Sequence, residues 1–161
     1  MDLNKTIEKI EANRTQAEAG FVFCLWKDPQ RYDDYKNVNV GTDKTLILEE
    51  PLFYFLIGRG IRQQGFQNID NITVETYLTD KPALRKYYEE LNGWAACKNM
   101  MDLVDPDNTD GYYDQIAKMN SLKILATRFD DMLSHPERFN HSTNEEVYEA
   151  FELLNNQVAL T

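Results

Sequence analysis

The sequence predicts an all-α fold: a compact head of short helices followed by a long antiparallel two-helix hairpin. Three observations predict it. Helix start signals recur along the 161 residues, whereas strand-like alternation appears only in short runs. Seven glycines and five prolines are few interruptions for a chain of this length. Between Asp105-Pro106-Asp107-Asn108 and Pro136 there is no proline at all, and the apolar residues there approximate helical spacing. The chain is long enough to bury a core without disulfides.

Taken in order, the elements have separate justifications. Residues 1–14 read as an N-terminal extension and 15–105 as the head. Thr15-Gln16-Ala17-Glu18 has the form of a capping box, directly before the apolar run Phe21–Trp26. Asp28-Pro29 offers an N-cap followed by proline at the first helical position, opening a short helix with Tyr32 and Tyr35. Residues 37–45 read as a loop. Pro51 leads into a helix over 52–64 that Gly65 ends, and Asp70 caps a helix over 71–78 despite the low propensity of Ile72, Thr73 and Val74. Asp80 with Pro82 opens 83–91, Asn92-Gly93 stops it, and 94–104 forms another short helix.

The hairpin is assigned to 106–161. Tyr112, Ile116, Met119, Ile124 and Met132, widened by Tyr113, Leu122, Leu125, Phe129 and Leu133, predict a helix from about 109 to 133. Pro136 breaks it. Ser142-Thr143-Asn144-Glu145 is a second capping-box sequence, and Val147, Tyr148, Phe151, Leu154 and Val158 follow at steps of three and four. Two helices joined by a short polar break make an antiparallel hairpin.

Composition excludes several function classes. With 17 basic and 27 acidic residues the net charge is −10, which repels phosphate and argues against tight nucleic-acid binding by this chain. The longest apolar runs, 21–26 and 52–57, are six residues each, far short of a membrane span. The N-terminus carries no apolar signal core. Cys24 and Cys97 lie in apolar surroundings and read as buried free thiols, which places the protein in a reducing, cytoplasmic compartment.

No constellation of residues points to catalysis, a metal or a cofactor. The run 105–111 lacks the ligand positions of a calcium loop: Thr109 stands fifth, Asp110 sixth and Ile116 twelfth. Gly58-Arg59-Gly60 has Gln63 where a dinucleotide fingerprint needs its third glycine, and no P-loop lysine follows; small residues on a packed helix explain it. His135 and His141 lie six apart with no cysteine nearby, and read as surface histidines in a turn. The pairs Glu89-Glu90 and Glu145-Glu146 read as a solvated face. Tyr87-Tyr88, Trp94 and Tyr112-Tyr113 are flanked by acids rather than a basic groove, so they read as core first and protein-binding surface second.

The hairpin carries more apolar positions than one narrow seam needs. Tyr112, Ile116 and Met119 on its first helix, with Tyr148, Phe151 and Leu154 on its second, are the candidate self-association residues, and a two-fold dimer is expected through them.

The order of features resembles the N-terminal domain of DnaB-type replicative helicases from phages or bacteria. Residues 15–34 (TQAEAGFVFCLWKDPQRYDD) resemble that domain's opening helix, with its Ala-Glu pair, apolar run and Asp-Pro ending. Phe55, Ile61, Gly65, Ile69-Asp70, Thr73-Val74 and Leu78 fall in the order of the next stretch. Leu91-Asn92-Gly93-Trp94 stands where the family has a double-glycine turn and an aromatic, with Asn92 departing from that pattern. Residues 112–132 and 144–159 resemble the two hairpin helices. The resemblance spans about nine-tenths of the chain and rests on order and spacing; an extra residue between Gly65 and Asp70 and a long prefix before Thr15 depart from it.

The resemblance implies a non-catalytic domain whose hairpins pair between subunits, forming the collar of a hexamer that receives primase or a helicase loader. The ATP-driven motor belongs to a later domain, of which this chain has no P-loop. Phe129, Met132 and Leu133, beside Asp130 and Asp131 near the hairpin turn, are the candidate partner-binding residues. The alternative reading is a stand-alone replication regulator, a loader or inhibitor that mimics the helicase collar.

Overall fold

The helix boundaries follow the groups able to satisfy the open amides and carbonyls at helix ends. The computed structural model describes residues 2–41 and 44–159, with side chains in the last helix as far as Asn156. Among them are eight α-helices and no strand: α1 (Leu3–Ile10), α2 (Arg14–Lys27), α3 (Glu49–Gln63), α4 (Asn71–Leu78), α5 (Pro82–Glu90), α6 (Gly93–Leu103), α7 (Thr109–Ser134) and α8 (Asn144–Ala159). Short 3-10 helices occupy Pro29–Tyr35, Pro106–Asn108 and Pro136–Phe139.

Two compact units are formed: one by residues 15–114, the other by the described parts of 1–14 and 115–161. The first fourteen residues, read from sequence as an extension, therefore contain a helix and belong to a unit with the C-terminal segment. Three polar contacts within that unit show why. Glu11 bonds Lys123 at 2.7 Å and lies 3.4 Å from Arg14, and the buried Arg14 guanidinium donates to Asn120.

The 15–114 unit is built around α2. All six residues of the run 21–26 are buried, so this stretch of the helix is apolar on every side and sits inside the unit. The packing around it is aromatic: Phe21 meets Tyr35 edge-on at 5.0 Å, and Trp26 meets Tyr54 edge-on at 5.6 Å. Such pairs add about 0.5–1.5 kcal/mol each beyond their area.

The capping box read at Thr15–Glu18 is corrected by the structure. The helix already begins at Arg14, and Glu18, with no solvent exposure, turns its Oε1 toward α3, accepting from the Ile47 and Leu48 amides at 3.1 Å each. A carboxylate there satisfies open donors at a helix N-terminus, where negative charge is favoured. Further along, the Trp26 indole N–H donates to the Tyr54 carbonyl at 2.9 Å and the Tyr32 hydroxyl to the Phe55 carbonyl at 3.1 Å. Both donors crowd Gly58, where an added Cβ would lie 2.1 Å from the Tyr32 oxygen and 2.6 Å from the indole nitrogen. Gly60 is similarly covered by the Tyr77 ring. These glycines are packing positions, as the sequence reading had them.

Other punctuation is close to expectation. Asp70 and Thr73 form a reciprocal capping box, with Asp70 Oδ1 accepting at 2.8 Å and Thr73 Oγ1 at 2.9 Å. Asn92 adopts φ 71°, the left-handed region that ends α5 and starts α6. The short helix after Asp28-Pro29 is present over 29–35, of the 3-10 kind, with Tyr32 and Tyr35 buried. Two details differ. Neither Asp28, at the N-cap position, nor Asp80 makes a side-chain cap bond, since Asp28 pairs with Arg31 at 2.9 Å and Asp80 with Lys81 at 2.9 Å. The second capping position is Thr143 rather than Ser142, its hydroxyl accepting from the Glu146 amide at 3.1 Å.

Cys24 and Cys97 are both buried and free. Burial pushes the Cys97 thiol from about 9 up to about 12, and burial likewise raises the Tyr32, Tyr54 and Tyr88 phenols. An acid whose folded pKa is raised stabilises the fold below its unfolded pKa and loses that contribution as pH rises toward the folded one. The urea midpoint should therefore hold steady up to pH 9 and fall between pH 9 and 12, with a shallower early fall in Cys97→Ala. A midpoint constant across that window contradicts this account. Gly58→Ala should destabilise by about 2–3 kcal/mol through overpacking. Combining it with Tyr32→Phe should recover part of that loss, because the phenol oxygen is the nearest obstacle.

Candidate functional site

In the unit of residues 1–14 and 115–161, the surface features concentrate on α7 and α8. Pro136 cannot continue α7, and its 3-10 turn is held by Arg138, which donates to Asp131 at 3.0 Å. His135 lies 3.2 Å from Glu137 within this turn, and His141 is exposed. Thr143 then starts α8. The Phe129 and Phe151 rings meet at 5.1 Å, which places one turn of α7 beside one turn of α8.

The nine residues singled out from sequence divide into three groups. Ile116, Met119 and Leu154 are buried within the chain itself. Tyr112 is also engaged at home, in the 15–114 unit, where its ring lies 2.8 Å from the position a Gly20 Cβ would take. Tyr148 and Leu133 are open to solvent, at 73% and 70% exposure. Phe129 and Met132 are half-buried, while Phe151 is exposed along one edge and covered by Phe129 on the other. The Val158 side chain lies outside the described residues.

Sequence periodicity did not single out Leu153, which is 60% exposed and lies about 200° around α8 from Phe151, while Leu122, counted in the stripe of α7, is also open. Leu153 falls two residues after Phe151, off the apolar stripe, and that offset was the available signal. The four glutamates of α8, at 145, 146, 149 and 152, are all exposed, and α8 contains no lysine or arginine.

The aromatic pairs of the head resolve as packing. Tyr88 is buried, Tyr87 packs edge-on against Phe53 at 4.6 Å, and Tyr113 joins Phe21 and Tyr35 at 5.7 and 5.1 Å. A cleft of about 320 Å³ is lined by Asp33, Asp34, Tyr35, Lys36, Asn37, Val38 and Tyr113. Two of its polar groups are held by neighbours: Arg62 bonds Asp33 at 2.9 Å and holds that carboxyl below its ordinary range, and the Tyr35 hydroxyl donates to Asp110. That geometry braces a turn and sets no nucleophile against a base. Among the described residues no group of three or more His, Cys, Asp and Glu is placed to hold a metal ion, and no helix is long and apolar enough to cross a membrane.

Set against models of protein families, curated proteins and solved structures, the chain matches none of them.

The division into buried and open residues has a direct test. Ile116→Ala and Leu154→Ala should each destabilise by about 2–4 kcal/mol, whereas Leu133→Ala and Tyr148→Ala should stay within about 0.5 kcal/mol of the parent in urea denaturation. Equal losses in all four variants would mean that the open face is part of the folding core.

Proposed function

We propose that this chain is a non-catalytic assembly and interaction domain of a DnaB-type replicative helicase, in which α7 and α8 form an antiparallel hairpin that docks primase or a helicase loader. The observation that supports this reading most is the apolar face left open on α7 and α8, with Leu133 and Tyr148 at its exposed edge and the Phe129–Phe151 pair at its base. Exposed large apolar residues grouped beside acids are what a protein-binding surface needs. The order of motifs along the chain adds the helicase assignment.

Self-association into a dimer, and into a hexamer in the full-length helicase, belongs to the same proposal. Burial of Ile116, Met119 and Leu154 reduces the surface available for it, so any dimer relies on the open residues. The second reading, a stand-alone loader or inhibitor that mimics the collar, uses the same face. The length of the natural gene separates the two, since a downstream P-loop in the same frame belongs only to the first.

Calorimetric titration with the primase and the loader of the same replication system tests the proposal. Binding to one of them is expected, and Leu133→Ala should weaken it about thirtyfold, or about 2 kcal/mol, with an unchanged melting temperature. Binding to neither protein removes the proposal. The chain alone should neither retain nor hydrolyse ATP, and its affinity for labelled single-stranded DNA at physiological salt should be weak. Light scattering well above micromolar concentration should show a dimer; a concentration-independent monomer mass counts against self-association.

A further inference from the structure

We infer that α8 is a docking helix for a protein partner that presents an apolar groove rimmed with lysine and arginine. The inference rests on the interaction role proposed above and narrows its partner to one chemistry. Its basis is the arrangement of side chains around α8. Leu154 is buried and fixes the inward side of the helix. Val147, Phe151 and Tyr148 follow around the circumference with exposures of 37%, 43% and 73%, an apolar shoulder that emerges progressively into water. At 100° per residue the next positions around the helix are Glu152, Glu145, Asn156 and Glu149, all exposed. The shoulder is thus bordered by a row of three carboxylates, and Glu146 stands beyond it.

None of the four glutamates is ion-paired among the described residues, and α8 supplies no basic residue of its own. Its turn does not supply one either, since Arg138 is taken by Asp131. Partner classes can be separated by charge. A nucleic acid or an anionic membrane would meet four unneutralised carboxylates. A second copy pairing α8 with α8 would set the same acidic row against itself, and like charges opposed across an interface disfavour it. A groove that seats Phe151 and Tyr148 while offering cations to Glu145, Glu149 and Glu152 satisfies both parts of the surface. This is helix-in-groove recognition, read at positions three and four apart.

Two synthetic helical-hairpin peptides test it, alike in the leucine-lined groove between their two 18-residue helices but carrying lysine or glutamine along its rim. Each is fluorescein-labelled and titrated with the full chain, at 50 and 300 mM sodium chloride. The lysine peptide should bind at least about tenfold more tightly than the glutamine peptide at low salt, with the gap closing at high salt. Tyr148→Ala should weaken the lysine peptide about tenfold without moving the melting temperature, since that ring is mostly in water. Changing Glu145, Glu149 and Glu152 together to Gln should bring the two peptides to equal affinity. Equal binding of both peptides by the parent chain, binding of neither, or indifference to Tyr148→Ala overturns the inference. So does a dimer whose formation abolishes lysine-peptide binding, because a second copy then covers the face. A lysine peptide that binds while primase and loader do not keeps this inference and removes the helicase assignment. The reverse pattern removes this inference alone.

Discussion

The fastening of α2 and of the 3-10 helix that follows it to α3 by three buried polar side chains is the constraint on which the 15–114 unit depends. An apolar helix buried on all sides can slide or rotate within a hydrophobic core at little loss of contact area, because that driving force has no direction. Glu18, Trp26 and Tyr32 supply the direction. The carboxylate takes the two amides ahead of α3, and the indole and phenol reach carbonyls two turns further along it. With both ends of the contact specified, only one register satisfies every group. Gly58 is the local condition for this, since any side chain there would stand in the space the two donors occupy.

The fold class was legible in the sequence because its signals are local. Caps, prolines and three-four spacing are properties of short windows, and helices at 49–63, 71–78, 82–90, 93–103 and 109–134 lie within a few residues of expectation. What was not legible depended on partners distant in the chain. Glu18 in Thr-Gln-Ala-Glu looks like a residue that reaches back to its own helix start, and only the arrival of residues 47 and 48 gives it another task. Likewise α1 has no obvious purpose until Glu11 and Arg14 find Lys123 and Asn120.

The candidate site divides in the same manner. Periodicity identified apolar stripes on α7 and α8 correctly, yet a stripe says nothing about how much of its width a neighbouring element covers. Ile116, Met119 and Leu154 share their stripes with Leu133, Tyr148 and Phe151, and burial separates residues that spacing treats alike. The acidic border of α8 was visible as a run of glutamates. Its meaning came from the absence, among the described residues, of any ion pair to those carboxylates, which no window of sequence reveals.

The aromatic lining of α2 has a spectroscopic consequence. The chain's two tryptophans, Trp26 and Trp94, both fall within 15–114, and none lies in the segments 1–14 and 115–161. Indole emission is therefore a label for one unit only, with Trp26 fully enclosed and hydrogen-bonded beside Tyr54 and Trp94 partly open. Far-ultraviolet circular dichroism, by contrast, sums the helices of both units. Coincident melts by the two signals would mean that the units unfold as one cooperative body, and separated melts that each has its own transition.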